Sequence, residues 1–399
     1  MKIKRNLNLS NFESGYKTKM IVYNIPYITG KEFQYIENAI ARRHLSGNGY
    51  YTQLCHQFFK EKYGFVKSLL TTSCTDALEM CAILLDIKAG DEIIMPSFTF
   101  VSTANAFILR GAKIILVDSS PDNPNMDENK LEELVTKKTK AIVVVHYAGI
   151  ACNMDAIMTL ANKYNLFVVE DAAQAIDSVY IDKKNKKKIL GNIGHLAAFS
   201  FHESKNIQCG EGGLLVINDE RFVARAEIIW EKGTNRAAFF RGEVDKYNWV
   251  DMGSSFLPSE ITAAFLFAQL QALDFVQKAR KEKWELYYEA LLPLQKKGKL
   301  KLPFLPGYAT NNAHLFYIVC NNLSQRDELI LFLNDNGVRS LFHYPGLHKS
   351  PFYLSRNPEN MQLESAEKFG DSLLRLPLYV DLKEQEINLI VSLIQQFYS

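Results

Sequence analysis

Short apolar runs alternate with amphipathic stretches through the first half of the chain, and this alternation limits the folds that it can adopt. Strands buried on both faces read as continuous apolar runs, and helices between them indicate crossover connections. The runs predicted as strands are Ser68–Thr71, Glu92–Met95, Lys113–Val117, Ala141–His146, Leu166–Glu170, Leu196–Ser200 and Gly213–Ile217. The stretches predicted as helices are Glu32–Arg43, Tyr51–Tyr63, Thr75–Leu85, Val101–Leu109 and Asp155–Tyr164. We therefore predict an α/β fold with a mostly parallel sheet covered by helices on both faces.

The pattern changes after the last of these strands, which predicts a second structural unit. The later elements are predicted as helices Pro258–Leu273, Phe275–Leu292, Ser324–Asn336 and Lys383–Tyr398, and as strand-like runs Leu315–Cys320 and Arg339–His343. With 399 residues and 47% hydrophobic composition, the chain can build more than one core. We predict an N-terminal extension (1–20), a large domain (21–274), and a linking helix followed by a smaller C-terminal α+β domain (275–399).

Composition and charge argue against several classes of protein. A net charge of +2 offers no electrostatic basis for binding nucleic acid. The six cysteines show neither a CxxC pair nor metal-site spacing, so we expect reduced thiols in a cytoplasmic protein. No apolar window is long enough to span a membrane, and the basic N-terminus lacks the apolar core of a secretory signal. The charged run Asp182–Lys188 is predicted as a solvated hairpin tip, with a nucleic-acid patch as the alternative.

Lys205 lies in the polar, glycine-rich stretch Ser200–Gly213 that joins two predicted strands. Ligands of α/β proteins bind where such strands end. A lysine amine in this position can act as a covalent catalyst toward a carbonyl group. From this stretch alone, the alternative of a solvated loop lysine stays open.

Asp171 ends the predicted strand within the stretch LFVVEDAAQ (166–174). A pyridoxal phosphate site needs a carboxylate that keeps the ring nitrogen protonated, so that the ring can act as an electron sink. Asp171 and Lys205 would supply this carboxylate and the amine from neighbouring strands. An aspartate at this position can also be a helix cap or a turn residue.

A phosphate would bind at the start of the predicted helix that follows Thr71. The run Thr71–Ala77 supplies hydroxyls and free backbone amides at a helix N-terminus, although the same residues also suit an ordinary N-cap. Ser200 could add a hydroxyl to the same phosphate. Phe100 follows another strand and could stack on a flat ring, or belong to the core.

Competing cofactor motifs are missing from the sequence. It contains no G-x-G-x-x-G after a strand, no G-x-x-x-x-G-K-[ST], no H-E-x-x-H and no G-x-S-x-G. The run Gly210–Gly213 leads into a strand instead of opening a helix, so it is not a dinucleotide loop. The eight histidines have no metal-ligand spacing, and no metal site is expected.

Five stretches together carry a family resemblance: TTSCTDALEM, AGDEIIMPSFTFVSTANA, VVEDAAQA, SFHESKN and CGEGG. In this order and spacing, over about residues 22–399, they resemble the DegT/DnrJ/StrS sugar-nucleotide aminotransferases. The resemblance implies a fold type I, aspartate aminotransferase-like architecture with a mostly parallel seven-stranded sheet. It also implies pyridoxal 5'-phosphate as the cofactor, with its aminated form as an intermediate of the reaction.

The resemblance also assigns roles to individual residues. It implies that Lys205 binds the cofactor aldehyde and that Asp171 pairs with the ring nitrogen. The other cofactor contacts that it implies are Ser73, Cys74 through its backbone, Phe100, Gln174, Ser200 and, from a partner subunit, Ser255. The residues that it places near the sugar or nucleotide are His314, His343, Tyr344 and His348. Homodimers are implied, with each active site completed by the partner's loop near residues 231–256.

Two further stretches, Glu231–Phe256 and NAHLFYI (312–318), are similar to members of the family with a defined reaction. This implies amino transfer from L-glutamate to dTDP-4-keto-6-deoxy-D-glucose, giving dTDP-4-amino-4,6-dideoxygalactose for surface glycans such as O-antigen and enterobacterial common antigen. A C-3 aminotransferase or a gluco-configured product remains an alternative. So do a cofactor-binding sensor and an unrelated nucleotide-binding protein, whereas Lys205 speaks against the dehydratases that carry histidine there.

Overall fold

The computed structural model of the chain describes residues 20–357 and 361–399. The predicted extension over residues 1–20 therefore lies outside the described residues except for its last one. The strands are β1 Lys67–Thr71, β2 Glu92–Pro96, β3 Lys113–Val117, β4 Thr139–Val145, β5 Phe167–Asp171, β6 Val179–Ile181, β7 Lys187–Ile189, β8 Leu196–Ser200, β9 Gly213–Ile217, β10 Phe316–Val319, β11 Leu341–Phe342 and β12 Leu373–Leu376.

Helices cover both faces of the main sheet and surround a smaller C-terminal sheet. They are α1 Glu32–Ala41, α2 Tyr50–Tyr63, α3 Cys74–Leu84, α4 Val101–Ile108, α5 Met154–Tyr164, α6 Val223–Trp230, α7 Arg236–Phe240, α8 Glu260–Gln271, α9 Leu273–Lys296, α10 Leu323–Asp335, α11 Pro351–Leu354, α12 Glu364–Ser372 and α13 Glu384–Phe397. None of the helices in the described part of the chain is long and apolar enough to cross a membrane.

The main sheet has seven strands in the order β1-β9-β8-β5-β4-β2-β3. Strands β8, β5, β4, β2 and β3 run parallel, whereas β9 is antiparallel to both β8 and β1. All seven predicted strands are confirmed to within two residues at each end. Because the parallel strands share a direction, β4, β5 and β8 end side by side, and the loops that follow them meet at one edge of the sheet.

Side chains of each strand alternate between two cores. On β4, Ala141 and Val143 belong to the core that includes α3 and α4, while Ile142 and Val144 belong to the core that includes α2, α5 and α8. Successive side chains of a strand point to opposite faces, so a continuous apolar run fills both cores. This explains why these strands could be recognised from apolar runs alone.

The C-terminal unit has its own sheet, in the order β10-β12-β11, and its own core. Helix α9 contributes Val276 to a core of the main sheet and Tyr287 to the C-terminal core, so one helix joins the two units. Ile21 also belongs to the C-terminal core, and its backbone amide donates to the Gly337 carbonyl at 2.8 Å. The first described residues thus pack on the C-terminal unit, although the predicted boundaries assign them to the large domain.

Several elements differ from the sequence-based expectations. Strand β12 was not predicted, because its apolar run is short and contains Arg375. Helix α9 continues past Pro293 to Lys296, although Leu292 was predicted as its end. A proline inside a helix removes one backbone donor, and the buried Leu294 anchors the last turn in the C-terminal core. The hairpin predicted around the charged run is confirmed by the antiparallel pair β6–β7.

Candidate active site

A cavity of about 560 Å³ lies between the ends of β4, β5 and β8 and the C-terminal unit. Ten predicted site residues line it: Ser73, Cys74, Phe100, Asp171, Gln174, Ser200, Lys205, His314, His343 and Tyr344. The structure therefore brings together residues that the sequence separates by up to 271 positions. It does not place Ser255 or His348 on this cavity.

Strand β5 ends in two buried carboxylates that point to opposite faces. Asp171 shares the face of Val169, which packs in the core of α3 and α4, and Glu170 shares the face of Val168. Asp171 accepts hydrogen bonds from Thr103 Oγ1 at 2.7 Å and from the backbone amide of Ala173 at 3.2 Å. Both donors are neutral. Burial raises the pKa of Asp171, so an added cation at this carboxylate would be stabilised.

Glu170 holds the loop before β8 on the opposite face. It accepts hydrogen bonds from the backbone amides of Gly191, Ile193 and Gly194 at 2.6–2.8 Å and from His146 Nε2 at 2.9 Å. Burial alone would raise the pKa of Glu170, but these hydrogen bonds outweigh it and the net pKa is lowered. Glu170 is thus a structural carboxylate next to the one that faces the cavity.

Lys205 lies in the turn after β8, where its backbone amide donates to the His202 carbonyl at 2.9 Å. Its amine lines the cavity together with Cys74 and Asp171. Burial lowers the pKa of Lys205, while the thiol of Cys74 and the carboxylate of Asp171 act in the opposite direction. An amine with a lowered pKa is available as a nucleophile and base at a lower pH than an exposed lysine.

The first turn of α3 forms the end of the cavity nearest to β9. Ser73 is the N-cap, and its Oγ accepts a hydrogen bond from the Asp76 amide at 3.1 Å. The amides that begin a helix have no partner within it, and the helix dipole favours an anion there. A Cβ on Gly213 would lie 2.4 Å from the Ser73 carbonyl carbon, so this glycine lets α3 approach β9. Ser200 lines the cavity beside this turn.

Phe100, Gln174 and Tyr344 form another wall of the cavity. Gln174 accepts a hydrogen bond from the Ala148 amide at 2.7 Å and donates from Nε2 to Tyr344 Oη at 3.3 Å. The Phe100 ring is 55% exposed and its centroid lies 6.0 Å from that of Tyr344. Phe100 therefore belongs to the cavity rather than to the core, which was the alternative from the sequence.

His314 is neutral, and its hydrogen bonds define its tautomer. Asn206 Nδ2 donates to Gln277 Oε1 at 2.7 Å and to the Asn312 carbonyl at 2.8 Å. Asn206 Oδ1 is therefore the acceptor that faces His314 Nδ1 at 2.9 Å, which places the ring proton on Nδ1. Burial, followed by the charge of Lys205, lowers the pKa of His314 well below its ordinary value. The unprotonated Nε2 is left as a hydrogen-bond acceptor.

His343 lies on the same side of the cavity, and its Nδ1 is 2.6 Å from Tyr147 Oη. Burial lowers the pKa of His343 well below its ordinary value, followed by the charges of Arg375 and Lys205. His314 and His343 are thus uncharged at neutral pH. They can exchange hydrogen bonds with sugar hydroxyls without adding charge to the site.

His348 does not line this cavity. Its Nδ1 is 2.6 Å from Ser97 Oγ, and its Nε2 is 3.1 Å from Glu367 Oε1. The side chain is buried between the end of β2 and α12, away from the cavity. A Cβ on Gly346 would lie 2.7 Å from the His348 ring, so a glycine at this position leaves room for the imidazole. Within one chain, His348 therefore holds a loop instead of lining the site.

Ser255 is exposed and pairs with Glu231 through an isolated bridge. It lies in a segment with large exposed apolar side chains, among them Phe240, at 70%, and Trp249, at 82%. The predicted contact of Ser255 is with the site of a partner subunit, so its absence from the cavity of its own chain agrees with that expectation without testing it.

Sequence reasoning missed several residues of the cavity, among them Tyr23, Thr103, Arg280 and Arg375. Thr103 follows Phe100 by one helical turn, and this spacing could have indicated it. No motif marks the other three, because each reaches the cavity from a different part of the fold. Arg280 lies on α9 and donates to the backbone carbonyls of Ala313 and His314, so it supports the segment that carries His314.

The chemistry of these groups suits a phosphorylated aromatic aldehyde. Asp171 is a buried carboxylate that forms no ion pair among the described residues, and a protonated ring nitrogen would supply the missing charge. The first turn of α3 and Ser200 offer donors to a phosphate, and the amine of Lys205 is available for a carbonyl. The residues present therefore fit pyridoxal phosphate.

Comparisons with known proteins agree with this fit. The DegT/DnrJ/EryC1/StrS aminotransferase family matches residues 26–395. The spore coat polysaccharide biosynthesis protein SpsC of Bacillus subtilis is 30% identical over 95% of this chain and 97% of its own length. GDP-perosamine synthase of Caulobacter vibrioides is 30% identical over 93% and 96%. The aminotransferase TlmJ of Streptoalloteichus hindustanus superimposes with a TM-score of 0.85 at 26% identity, over 95% of this chain and 98% of TlmJ.

Proposed function

Since the chain belongs to the DegT/DnrJ/EryC1/StrS family of pyridoxal phosphate-dependent sugar aminotransferases, we propose a specific reaction for it. The amino group of L-glutamate is transferred to the C-4 ketone of dTDP-4-keto-6-deoxy-D-glucose, and the product is dTDP-4-amino-4,6-dideoxygalactose. The observation that carries this proposal is the convergence of Lys205 and Asp171 on one cavity, beside two neutral histidines.

We assign the cofactor contacts as follows. Asp171 would hold the proton on the ring nitrogen, and Phe100 would pack against the ring. The phosphate is bound by Ser73 and Ser200, by the backbone of Cys74 and by the free amides of the α3 N-terminus. Gln174, already oriented by the Ala148 amide, lies beside the ring hydroxyl. When bound, the cofactor supplies a carbonyl that accepts the amino group and a ring that withdraws electrons from the reacting carbon.

Lys205 is the proton carrier of both half-reactions. Its Nζ would take the proton from the α-carbon of the donor amino acid. It would then deliver this proton to the cofactor carbon that is bonded to the transferred nitrogen. In the second half-reaction, the same amine moves a proton in the reverse direction, onto C-4 of the sugar. The lowered pKa of Lys205 supports this role, because the amine must be unprotonated when each proton is taken.

The sugar lies against the wall formed by His314, His343 and Tyr344. His314 offers Nε2 as an acceptor for a sugar hydroxyl, since its Nδ1 proton is used by Asn206. Burial raises the pKa of Tyr344 above its ordinary value, so its hydroxyl keeps its proton and remains a donor. Neutral groups of this kind suit sugar hydroxyls, whereas a charged histidine would compete for the anionic part of the substrate.

We further propose that the enzyme is a cytoplasmic homodimer in which the segment 231–256 completes the partner's active site. The support is the exposed apolar surface of that segment, where Phe240, Trp249 and Val250 are each more than half exposed. Large apolar side chains exposed within one segment are typical of an interface. All six cysteines are free, which agrees with a reducing compartment.

The proposed reaction is tested by incubating the purified holoenzyme with L-glutamate and dTDP-4-keto-6-deoxy-D-glucose. We expect an aminated product whose NMR spectrum places the nitrogen on C-4 in the axial orientation of a galacto sugar. Nitrogen on C-3 with a dTDP-3-keto sugar, or an equatorial C-4 amine, would select one of the alternatives. A GDP-linked keto-sugar is included because one relative is GDP-perosamine synthase. Preference for that substrate would contradict the proposed nucleotide.

A further inference from the structure

The cavity carries more positive than negative side chains. Lys205, Arg280 and Arg375 line it, and the acidic side chains that line it are Asp171 and Glu211. Within residues 20–357 and 361–399, no carboxylate lies within 4.0 Å of these three cations. Cations held in a cavity without a counter-ion favour an anionic ligand, because pairing compensates for their lost hydration. The proposed phosphate site is at the N-terminus of α3 beside the main sheet, whereas Arg280 lies on α9 and Arg375 on β12.

Arg375 lines the same cavity as Lys205 and Asp171. It lies on β12, the central strand of the smaller sheet, and its charge adds to the larger effect of burial in lowering the pKa of Lys205. Its Nη1 donates to Tyr23 Oη at 3.1 Å and its Nη2 to the Phe342 carbonyl at 2.9 Å. These two contacts orient the guanidinium, while its buried Nε has no hydrogen-bond partner. An oriented guanidinium with unused donors is suited to a carboxylate, which it can bind with two parallel hydrogen bonds.

Arg280 is less suited to the same task. Its Nε and Nη2 donate to the backbone carbonyls of Ala313 and His314, at 2.9 and 2.5 Å. Burial lowers its pKa to about 10. Arg280 therefore supports the segment that carries His314, whereas Arg375 keeps an unpaired Nε in the same cavity.

We propose that Arg375 binds the α-carboxylate of the amino-acid donor, an inference that rests on the proposed function. The carboxylate of an α-amino acid is attached to the carbon that bears the transferred nitrogen, so it must lie close to Lys205. The diphosphate of a sugar nucleotide is attached to C-1, across the pyranose ring from the C-4 nitrogen, and lies farther away. Arg375 thus makes the site specific for α-amino acids in the first half-reaction. In the second half-reaction, the keto-sugar is bound by His314, His343 and Tyr344.

The test compares the two half-reactions in Arg375→Gln and Arg375→Lys, with Arg356→Gln as the matched control. Arg356 is exposed and stacks on Phe352, outside the cavity. The donor half-reaction is followed by the absorbance of the bound cofactor, with L-glutamate and with 4-aminobutyrate, which is glutamate without its α-carboxylate. The acceptor half-reaction is followed with the aminated enzyme and the keto-sugar. Retention of the cofactor absorbance shows that each variant is folded.

We expect Arg375→Gln to weaken the apparent affinity for L-glutamate about 10- to 100-fold, the loss of a charge-assisted hydrogen-bond pair. Its response to 4-aminobutyrate should equal that of the wild type, and the acceptor half-reaction should change less than about 3-fold. Arg375→Lys keeps the charge without the two parallel donors. Its apparent affinity for L-glutamate should therefore lie between those of the wild type and Arg375→Gln. If Arg375→Gln binds L-glutamate normally, weakens both donors equally or loses affinity for the sugar nucleotide instead, the assignment is overturned. A wild-type enzyme whose cofactor responds to no amino donor would contradict the proposed function itself.

Discussion

Thr103 Oγ1 donates a 2.7 Å hydrogen bond to Oδ2 of Asp171 and thereby joins the first turn of α4 to the end of β5. The same hydroxyl lies 2.9 Å from Thr99 Oγ1, so it is held from a second side. This hydrogen bond favours the ionised carboxylate in a site where burial favours the neutral one. It connects the helix that begins beside Phe100 to the carboxylate that is proposed to meet the cofactor ring.

We predict that Thr103→Val lowers kcat about 10-fold, because a hydrogen bond to a charged group of this kind contributes about 1.5–3 kcal/mol. Removal of the donor raises the pKa of Asp171, so the ionised fraction falls and the acid limb of the pH–rate profile moves to higher pH. Thr103→Ser restores the hydroxyl and should restore both quantities. If the pH–rate profile of Thr103→Val is unchanged, this hydrogen bond does not contribute to catalysis.

Lys205→Ala should abolish turnover while the protein still binds the aminated cofactor and the sugar nucleotide, because the proton carrier is lost and the binding groups remain. The loss is measured as single-turnover transamination of the keto-sugar. Lys183→Ala, on the exposed tip between β6 and β7, is the control and should behave as the wild type. More than a trace of transamination in Lys205→Ala would remove this residue from its proposed role.

Ser73→Ala should weaken the binding of pyridoxal phosphate more than 10-fold, in addition to the loss of a helix cap, which costs about 1 kcal/mol of stability. The control is Ser259→Ala, because Ser259 caps α8 with a hydrogen bond from the Thr262 amide and does not line the cavity. Equilibrium titration with the cofactor and urea unfolding separate the two effects. If both variants lose stability alone, with equal cofactor affinity, Ser73 is only a cap.

Glu170→Gln should lower the free energy of unfolding by about 3–5 kcal/mol, because it removes one member of a buried charged network. The folded-state pKa of Glu170 is lowered from its ordinary value of 4.5, so its stabilisation is fully present above that pH. It is lost as the pH falls through the folded-state pKa. The difference between wild type and variant, measured by urea unfolding, should therefore shrink below pH 4.5. Glu282→Gln, an exposed change on α9, should show no such pH dependence.

Ser97→Ala and His348→Gln should each lower the free energy of unfolding by about 1–3 kcal/mol, since each leaves a buried partner without its hydrogen bond. Both changes remove the same contact between β2 and the loop that carries His343 and Tyr344. Their effects should therefore be less than additive in the double variant. An increase in KM for the sugar nucleotide in His348→Gln alone, with Ser97→Ala normal, would instead support the predicted substrate contact.

The strands and the residues at their ends could be predicted from the sequence. Fully buried parallel strands are apolar throughout, so polar residues that follow such runs mark the edge of the sheet where ligands bind. This applies to Asp171 after β5 and to the turn with Lys205 after β8. Ser73 was recognisable for a similar reason, since small hydroxylated residues favour the start of a helix.

Residues that reach the site from distant elements could not be predicted in this way. Arg375 lies on a strand too short to recognise, and its placement depends on the pairing of β12 with β10 and β11. His348 is predicted near the sugar or nucleotide, and only the structure shows its contact with Ser97, which is 251 positions away in the chain. Local sequence patterns determine which segments are strands and helices. The approach of one unit to another is decided by long-range packing, and so are the contacts of Arg375 and His348.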